Sequence, residues 1–190
     1  RVCHLVVVDA LGPYPVAAEQ LPKRMQESVA EMKRRLRRKL SCYKTYDAAI
    51  NARLQSEFGQ LMKPTAERLA TRGLSKLPQG YHWHGDGKLW APSMAALTEA
   101  QVSACIDSVS AKVLLVLATA GLKDKCKINV GEEEFTKLLS DSQINTDYAV
   151  QFRQLLNKGA VCKEFDDGHY LHMELSAEAI AVEVQNFLFS

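Results

Sequence analysis

Phe165-Asp166-Asp167-Gly168-His169-Tyr170-Leu171-His172-Met173-Glu174 stands between two segments of opposite character. Before it, Ala160-Val161-Cys162-Lys163-Glu164-Phe165 is a β-branched and aromatic run that predicts a strand, stopping at the acidic Asp-Asp-Gly turn. After it, Ser176 to Phe189 predicts an amphipathic helix. His169 is thereby placed on a loop at the carboxyl end of a strand, the edge of an open α/β sheet where ligands bind and catalytic groups collect. Histidine is the side chain suited to moving protons near neutral pH, although a loop histidine ahead of a helix also serves as a cap or a solvent-facing group.

Two further strands are predicted by continuous apolar runs. Val2-Cys-His-Leu-Val-Val-Val8 ends at Asp9-Ala-Leu-Gly12-Pro13, and Ser110-Ala-Lys-Val-Leu-Leu-Val-Leu-Ala118 ends at Thr119-Ala-Gly121-Leu-Lys-Asp124. Runs apolar at every position belong to strands buried on both faces, hence to a parallel sheet covered by helices. His4, among apolar neighbours, is expected to be a hydrogen-bonded core histidine. Parallel strands need crossovers, and the segment between the first two supplies a long one. Leu21, Met25, Val29, Met32 and Leu36 recur at helical spacing within Val16–Leu40; a second helix is predicted over Tyr46–Leu61, and a third from Pro64 to Gly73, with Gly73 as a left-handed carboxyl cap. Gly80 to Trp90 reads as a hairpin or loop turning at Gly85-Asp86-Gly87, and Thr98-Glu99-Ala100-Gln101 opens a helix reaching Ile106. Phe135, Leu138 and Leu139, then Tyr148 to Leu156, predict one or two helices before the last strand.

Composition excludes several function classes. A net charge of +2 over 190 residues argues against a dedicated nucleic-acid binder. The basic run Lys33 to Lys39 lies within a helical pattern and reads as a solvated face. Cys3, Cys42, Cys105, Cys126 and Cys162 are odd in number and scattered, which predicts thiols in a reducing compartment, cytoplasm or mitochondrial matrix, and neither a disulfide framework nor a zinc site. His82, His84 and Asp86 alternate but fall short of a metal's usual three or four ligands, so no metal or cofactor is expected. No apolar run is long enough to span a membrane, and no signal peptide is recognisable. The chain begins at Arg1, which suggests that it is part of a longer product or has lost a presequence.

Three segments in order resemble the carboxyl-terminal part of α/β-hydrolases, most closely the serine hydrolase-like proteins and the haloalkane dehalogenase and epoxide hydrolase group. They are Leu5-Val-Val-Val-Asp9-Ala-Leu-Gly12-Pro13; Arg72-Gly73 through Gly80-Tyr81-His-Trp83 to Asp86 and Thr98-Glu99-Ala-Gln101; and Gly168-His169-Tyr-Leu-His172-Met-Glu174. The resemblance implies an α/β fold whose three parallel strands are the sixth, seventh and eighth of the family's sheet. Residues 1–13 and 107–190 would form the partial core, and residues 14–106 a helical cap. It places His169 on the family's catalytic histidine and leaves the acid as either Asp9, at the end of the first strand, or Asp124, after the second. An Asp at position 9 could equally cap the turn that follows it.

The family's nucleophile elbow is missing: neither G-x-S-x-G nor G-x-D-x-G occurs in the chain. A histidine and an acid without a nucleophile cannot form the covalent intermediate of this chemistry, so no activity is expected of the chain alone. The strand Val2–Val8 would also carry a long apolar edge that another polypeptide must pair with. The alternative expectation is a non-catalytic, hydrolase-derived accessory subunit of a larger assembly.

Overall fold

The computed structural model describes residues 2–10, 15–37, 41–56, 59–85, 93–94, 96–121 and 147–190. They divide into two compact units, Arg1–Pro15 with Leu97–Ser190, and Val16–Ala96.

The first unit is built on a parallel sheet in the order β1 (His4–Val8), β6 (Lys112–Ala120), β7 (Val161–Gly168). β1 pairs with β6 from His4↔Lys112 to Val8↔Val116, and β6 pairs with β7 from Leu114↔Val161 onward. Alternation along β6 sends its side chains into two cores. Val113, Leu115 and Leu117, with Leu5 and Val7 of β1, pack against Val102 and Ile106 of α4 (Glu99–Asp107) and Phe152 and Leu155 of α5 (Asp147–Asn157). Leu114, Val116 and Ala118, with Val6 and Val8, pack against Leu171 and against Ile180, Val184 and Phe187 of α6 (Ala177–Leu188). Burial of each such aliphatic side chain contributes about 1.5–3 kcal/mol. This is why Leu5 to Val8 of β1 and Val113 to Ala118 of β6 are apolar at every position: both faces are covered.

Local chemistry fixes the helices on the sheet. Thr98 and Gln101 form a capping box on α4, Gln101 N–H donating to Thr98 Oγ1 at 3.4 Å and Thr98 N–H to Gln101 Oε1 at 2.9 Å. Thr98→Ala is expected to cost about 1 kcal/mol, read as a lower urea midpoint with an unchanged slope. Lys158, just past α5, donates to the carbonyls of Ile106 and Asp107, so a cation beyond the neighbouring helix satisfies carbonyls at the carboxyl end of α4. β7 runs through Asp166 and Asp167 to Gly168, past the turn expected there. The Thr119 hydroxyl donates to Asp166 Oδ1 at 3.0 Å, and a register shift between Ala118 and Ala120 lets Ala120 pair with Gly168. His4, expected to be hydrogen-bonded, instead has its Nε2 buried with no hydrogen-bond partner among the described residues and meets Phe187 edge-on at 5.4 Å.

The second unit holds α1 (Leu21–Leu36), α2 (Tyr46–Leu54), the short pair β2 (Gln55–Ser56) and β3 (Gly59–Gln60), α3 (Lys63–Gly73), and the hairpin β4 (Leu74–Leu77) and β5 (Gly80–Trp83). Ile50, Ala66 and Ala70 form its core with Leu54, Leu74 and Trp83. Two expectations change. The helix predicted to Leu61 stops at Leu54, because β2 and β3 turn the chain back and Leu61 N–H donates to Leu54 O at 3.0 Å. Gly73 is helical and lies under Trp83, whose ring carbon would sit 3.2 Å from an added Cβ, so it makes room for the indole where a left-handed cap was expected. A hairpin joins Leu77 to Gly80, and Gly80 has φ 134°, a conformation that residues with a Cβ rarely adopt; the turn expected at Gly85-Asp86-Gly87 falls on residues that are not described beyond Gly85. Asp86, Gly87 and Trp90 lie outside the described residues, as do Phe135, Leu138, Leu139, Cys126 and the end of the basic run at Arg38 and Lys39.

Candidate active site

In a parallel sheet all strands end on one side, and three groups gather where β1, β6 and β7 end: Asp9, Gly121 and His169. β1 and β7 are two strand spacings apart, about 10 Å. The acid and the imidazole must therefore meet over the end of β6. They do so: His169 Nδ1–H donates to Asp9 Oδ2 at 2.6 Å. The Asp9 side chain is fully buried, and that of His169 is 21% exposed.

The backbone explains the burial of Asp9. Along β1 the odd-numbered residues bond to β6, as shown by Lys112 N–H to Cys3 O at 3.0 Å and Asp9 N–H to Val116 O at 2.7 Å. The next bond of that ladder would run from Ala118 N–H to Asp9 O. Asp9 has φ 40°, however, which turns its carbonyl out of the strand, and its carboxylate takes the place instead: Ala118 N–H donates to Asp9 Oδ1 at 3.2 Å. Asp is among the few residues that adopt positive φ readily. Asp9 thus acts on a neighbouring strand and the imidazole, beyond any capping of its own turn. Its two oxygens serve two donors, which makes a buried carboxylate tenable.

Gly121 supplies the space. A Cβ built on it would lie 2.6 Å from Cγ of Asp9. The sequence marks Gly121 only as a turn residue; its closeness to a side chain 112 positions earlier is set by the β1–β6 register.

On the other side, β7 delivers His169 one residue past its end. Leu171, wholly buried, plugs the His169 loop into the α6-side core, with its N–H donating to Gly168 O at 3.0 Å. The Tyr170 ring stands edge-on to the imidazole at 5.1 Å. With Nδ1–H held by the carboxylate, the tautomer puts the ring's lone pair on Nε2, the arrangement of a general base oriented by an acid. Asp124, the other candidate acid, lies outside the described residues.

Elsewhere, His82 and His84 are engaged in the second unit: His82 Nδ1 is 3.1 Å from Ser41 O, and His84 Nε2 is 2.5 Å from Ser75 Oγ. Among the described residues, no three or more His, Cys, Asp or Glu side chains are grouped to hold a metal ion, and no helix is long and apolar enough to cross a membrane.

No protein-family model matches the chain, and no curated protein matches it. Solved structures do. The hypothetical protein PA1622 from Pseudomonas aeruginosa PAO1 superposes with a TM-score of 0.75 at 27% identity, over 100% of this chain and 59% of that one. A thioesterase domain from the curacin biosynthetic pathway matches with a TM-score of 0.59 at 15% identity, over 94% of this chain and 56% of that one. E-2-(acetamidomethylene)succinate hydrolase matches at 0.57 and 14%, over 98% and 57%. The fold is therefore α/β-hydrolase-like, a mixed α/β arrangement with a parallel sheet and flanking helices. The chain spans less than two thirds of each of these neighbours.

Proposed function

We propose that this chain is the carboxyl-terminal part of a serine hydrolase-like α/β-hydrolase, with His169 as general base and Asp9 as its orienting acid. Residues outside these 190 would carry the nucleophile on a strand paired with the open edge of β1. The observation that carries the reading is the 2.6 Å pairing of a wholly buried carboxylate with a partly accessible imidazole at the carboxyl ends of a parallel sheet. A base so oriented would take a proton from a hydroxyl or water and return it to a leaving group, as acyl transfer or epoxide and haloalkane hydrolysis requires. Within the insert between β1 and β6, the unit Val16–Ala96 would be the family's cap. The chemistry needs no cofactor, and the scattered cysteines suit a reducing compartment.

The two edges of the sheet support the need for a partner strand. β7 carries Lys163, Glu164 and Asp166, charges that suit an edge meeting water. β1, His-Leu-Val-Val-Val, carries none, and among the described residues no strand pairs with its far side. A non-catalytic accessory subunit is the second reading, favoured by the absence of any nucleophile elbow from the chain.

Purification with native partners followed by a p-nitrophenyl ester assay tests the proposal. The expected result is turnover by the complex, none by the chain alone, and a partner segment carrying an elbow serine or aspartate within reach of His169. An unrelated partner and a silent complex would leave the accessory reading. Turnover by the chain alone, lost in His169→Ala, would mean that the nucleophile lies within these residues.

A further inference from the structure

We infer that Asp167 is a positioning residue for His169, an inference that rests on the Asp9–His169 reading above. Its carboxylate spans the loop that carries the imidazole: Gly168 N–H donates to Oδ1 at 2.7 Å, at the start of the loop, and Ser176 N–H donates to Oδ2 at 3.0 Å, at its end. Ser176 is the amino-terminal cap of α6 yet makes no side-chain cap of its own, so Asp167 takes over that role from the strand side. One side chain therefore ties the last residue of β7 to the first turn of α6 and closes the loop into a ring. Inside that ring the backbone makes short-range turns, Leu171 N–H to Gly168 O at 3.0 Å and Met173 N–H to Tyr170 O at 2.7 Å, with Leu171 as the apolar plug.

His169 follows the first of the two clamped amides directly. Its ring must meet Asp9 Oδ2 at 2.6 Å across the end of β6, and a shift of about 1 Å in the loop is enough to break such a pair. The neighbouring Asp166 faces elsewhere, accepting from the Thr119 hydroxyl on β6. The two acids of the Asp-Asp-Gly sequence thus divide the work: Asp166 fixes β7 to β6, and Asp167 fixes the histidine loop to β7.

The test is the hydrogen-bonded ring N–H of His169, followed by nitrogen-15-resolved proton NMR on the full chain and assigned by its loss in His169→Gln. Asp9→Asn is expected to remove the resonance as well; if the resonance survives there, the Asp9–His169 pair is wrong and this inference falls with it. Given that control, Asp167→Ala is expected to keep the native circular dichroism while solvent exchange of the His169 ring proton speeds up at least tenfold. Asp167→Asn is expected to act in the same direction, because its NH2 turns a donor toward one of the two amides. A helix cap without a positioning role would lower the melting temperature of both variants and leave the ring proton as in the parent, and that result overturns the inference. Should Asp167→Ala not fold, Asp167→Asn decides by the same criterion.

Discussion

Gly121→Ala is expected to lower the stability of the chain by about 3 kcal/mol and to abolish the His169–Asp9 contact, although it adds a single methyl group. The added Cβ would stand 2.6 Å from Cγ of Asp9, closer than non-bonded carbons approach. Asp9 cannot move away without loss. Its side chain is fully buried, Oδ1 holds the Ala118 amide and Oδ2 holds the imidazole, so any rotation leaves a buried charge and a backbone N–H without partners. Gly121 does not have positive φ, so the penalty is steric and not conformational. A double-mutant cycle separates this cause from a general strain on β6. If the Asp9 carboxylate is what the methyl meets, Gly121→Ala should cost at least 1 kcal/mol less in an Asp9→Ala background than in the parent, measured by urea unfolding. Strict additivity of the two changes would overturn the account.

That contact also marks where sequence reading stops. β1 and β6 were legible because strands covered on both faces have to be apolar throughout, as Val6-Val7-Val8 and Leu114 to Leu117 are, and β7 by its β-branched and aromatic residues Val161 and Phe165. His169 and Asp9 were legible as candidates because each directly follows the end of a strand. Their pairing came only from the family resemblance, which left Asp124 open as the acid, since it depends on both crossing the end of β6. The roles of Gly121 and Asp167 depend on partners brought close by tertiary structure or loop closure, and a glycine or an aspartate after a strand reads only as a turn. In the second unit the chain turns between Leu77 and Gly80, where Tyr43 and Tyr81 exchange backbone hydrogen bonds at 2.7 Å and extend the pairing of β5, a contact that no local signal announces. The helix end at Leu54 escaped notice for a related reason: β2 and β3 are two residues each, too short for any periodicity to register.

Val6→Pro and Val7→Pro are expected to have opposite consequences, and the contrast tests the partner strand proposed for β1. Odd-numbered residues of β1 direct their N–H and C=O groups to β6, so His4, Val6 and Val8 direct theirs to the far edge. Proline at position 7 removes a donor from the β1–β6 ladder and should cost the chain about 3 kcal/mol. At position 6 it removes a donor that the described chain leaves unpaired with any strand, and the ring still fills part of the space that Val6 occupies in the α6-side core. The expected cost to the isolated chain is about 1 kcal/mol, the residual strain of fixing φ within a strand. A strand docked on that edge would lose a main-chain hydrogen bond and meet the pyrrolidine ring, so association with the partner polypeptide should weaken about 100-fold, which corresponds to about 3 kcal/mol. Any ester hydrolysis by the complex should fall in parallel, because Asp9 and His169 are untouched and only delivery of the nucleophile is impaired. Titration of each variant into the partner, beside urea unfolding of the variant alone, reads both quantities. Equal association of Val6→Pro and the parent would mean that the partner binds elsewhere, and the nucleophile would then have to reach His169 by a route other than the sheet.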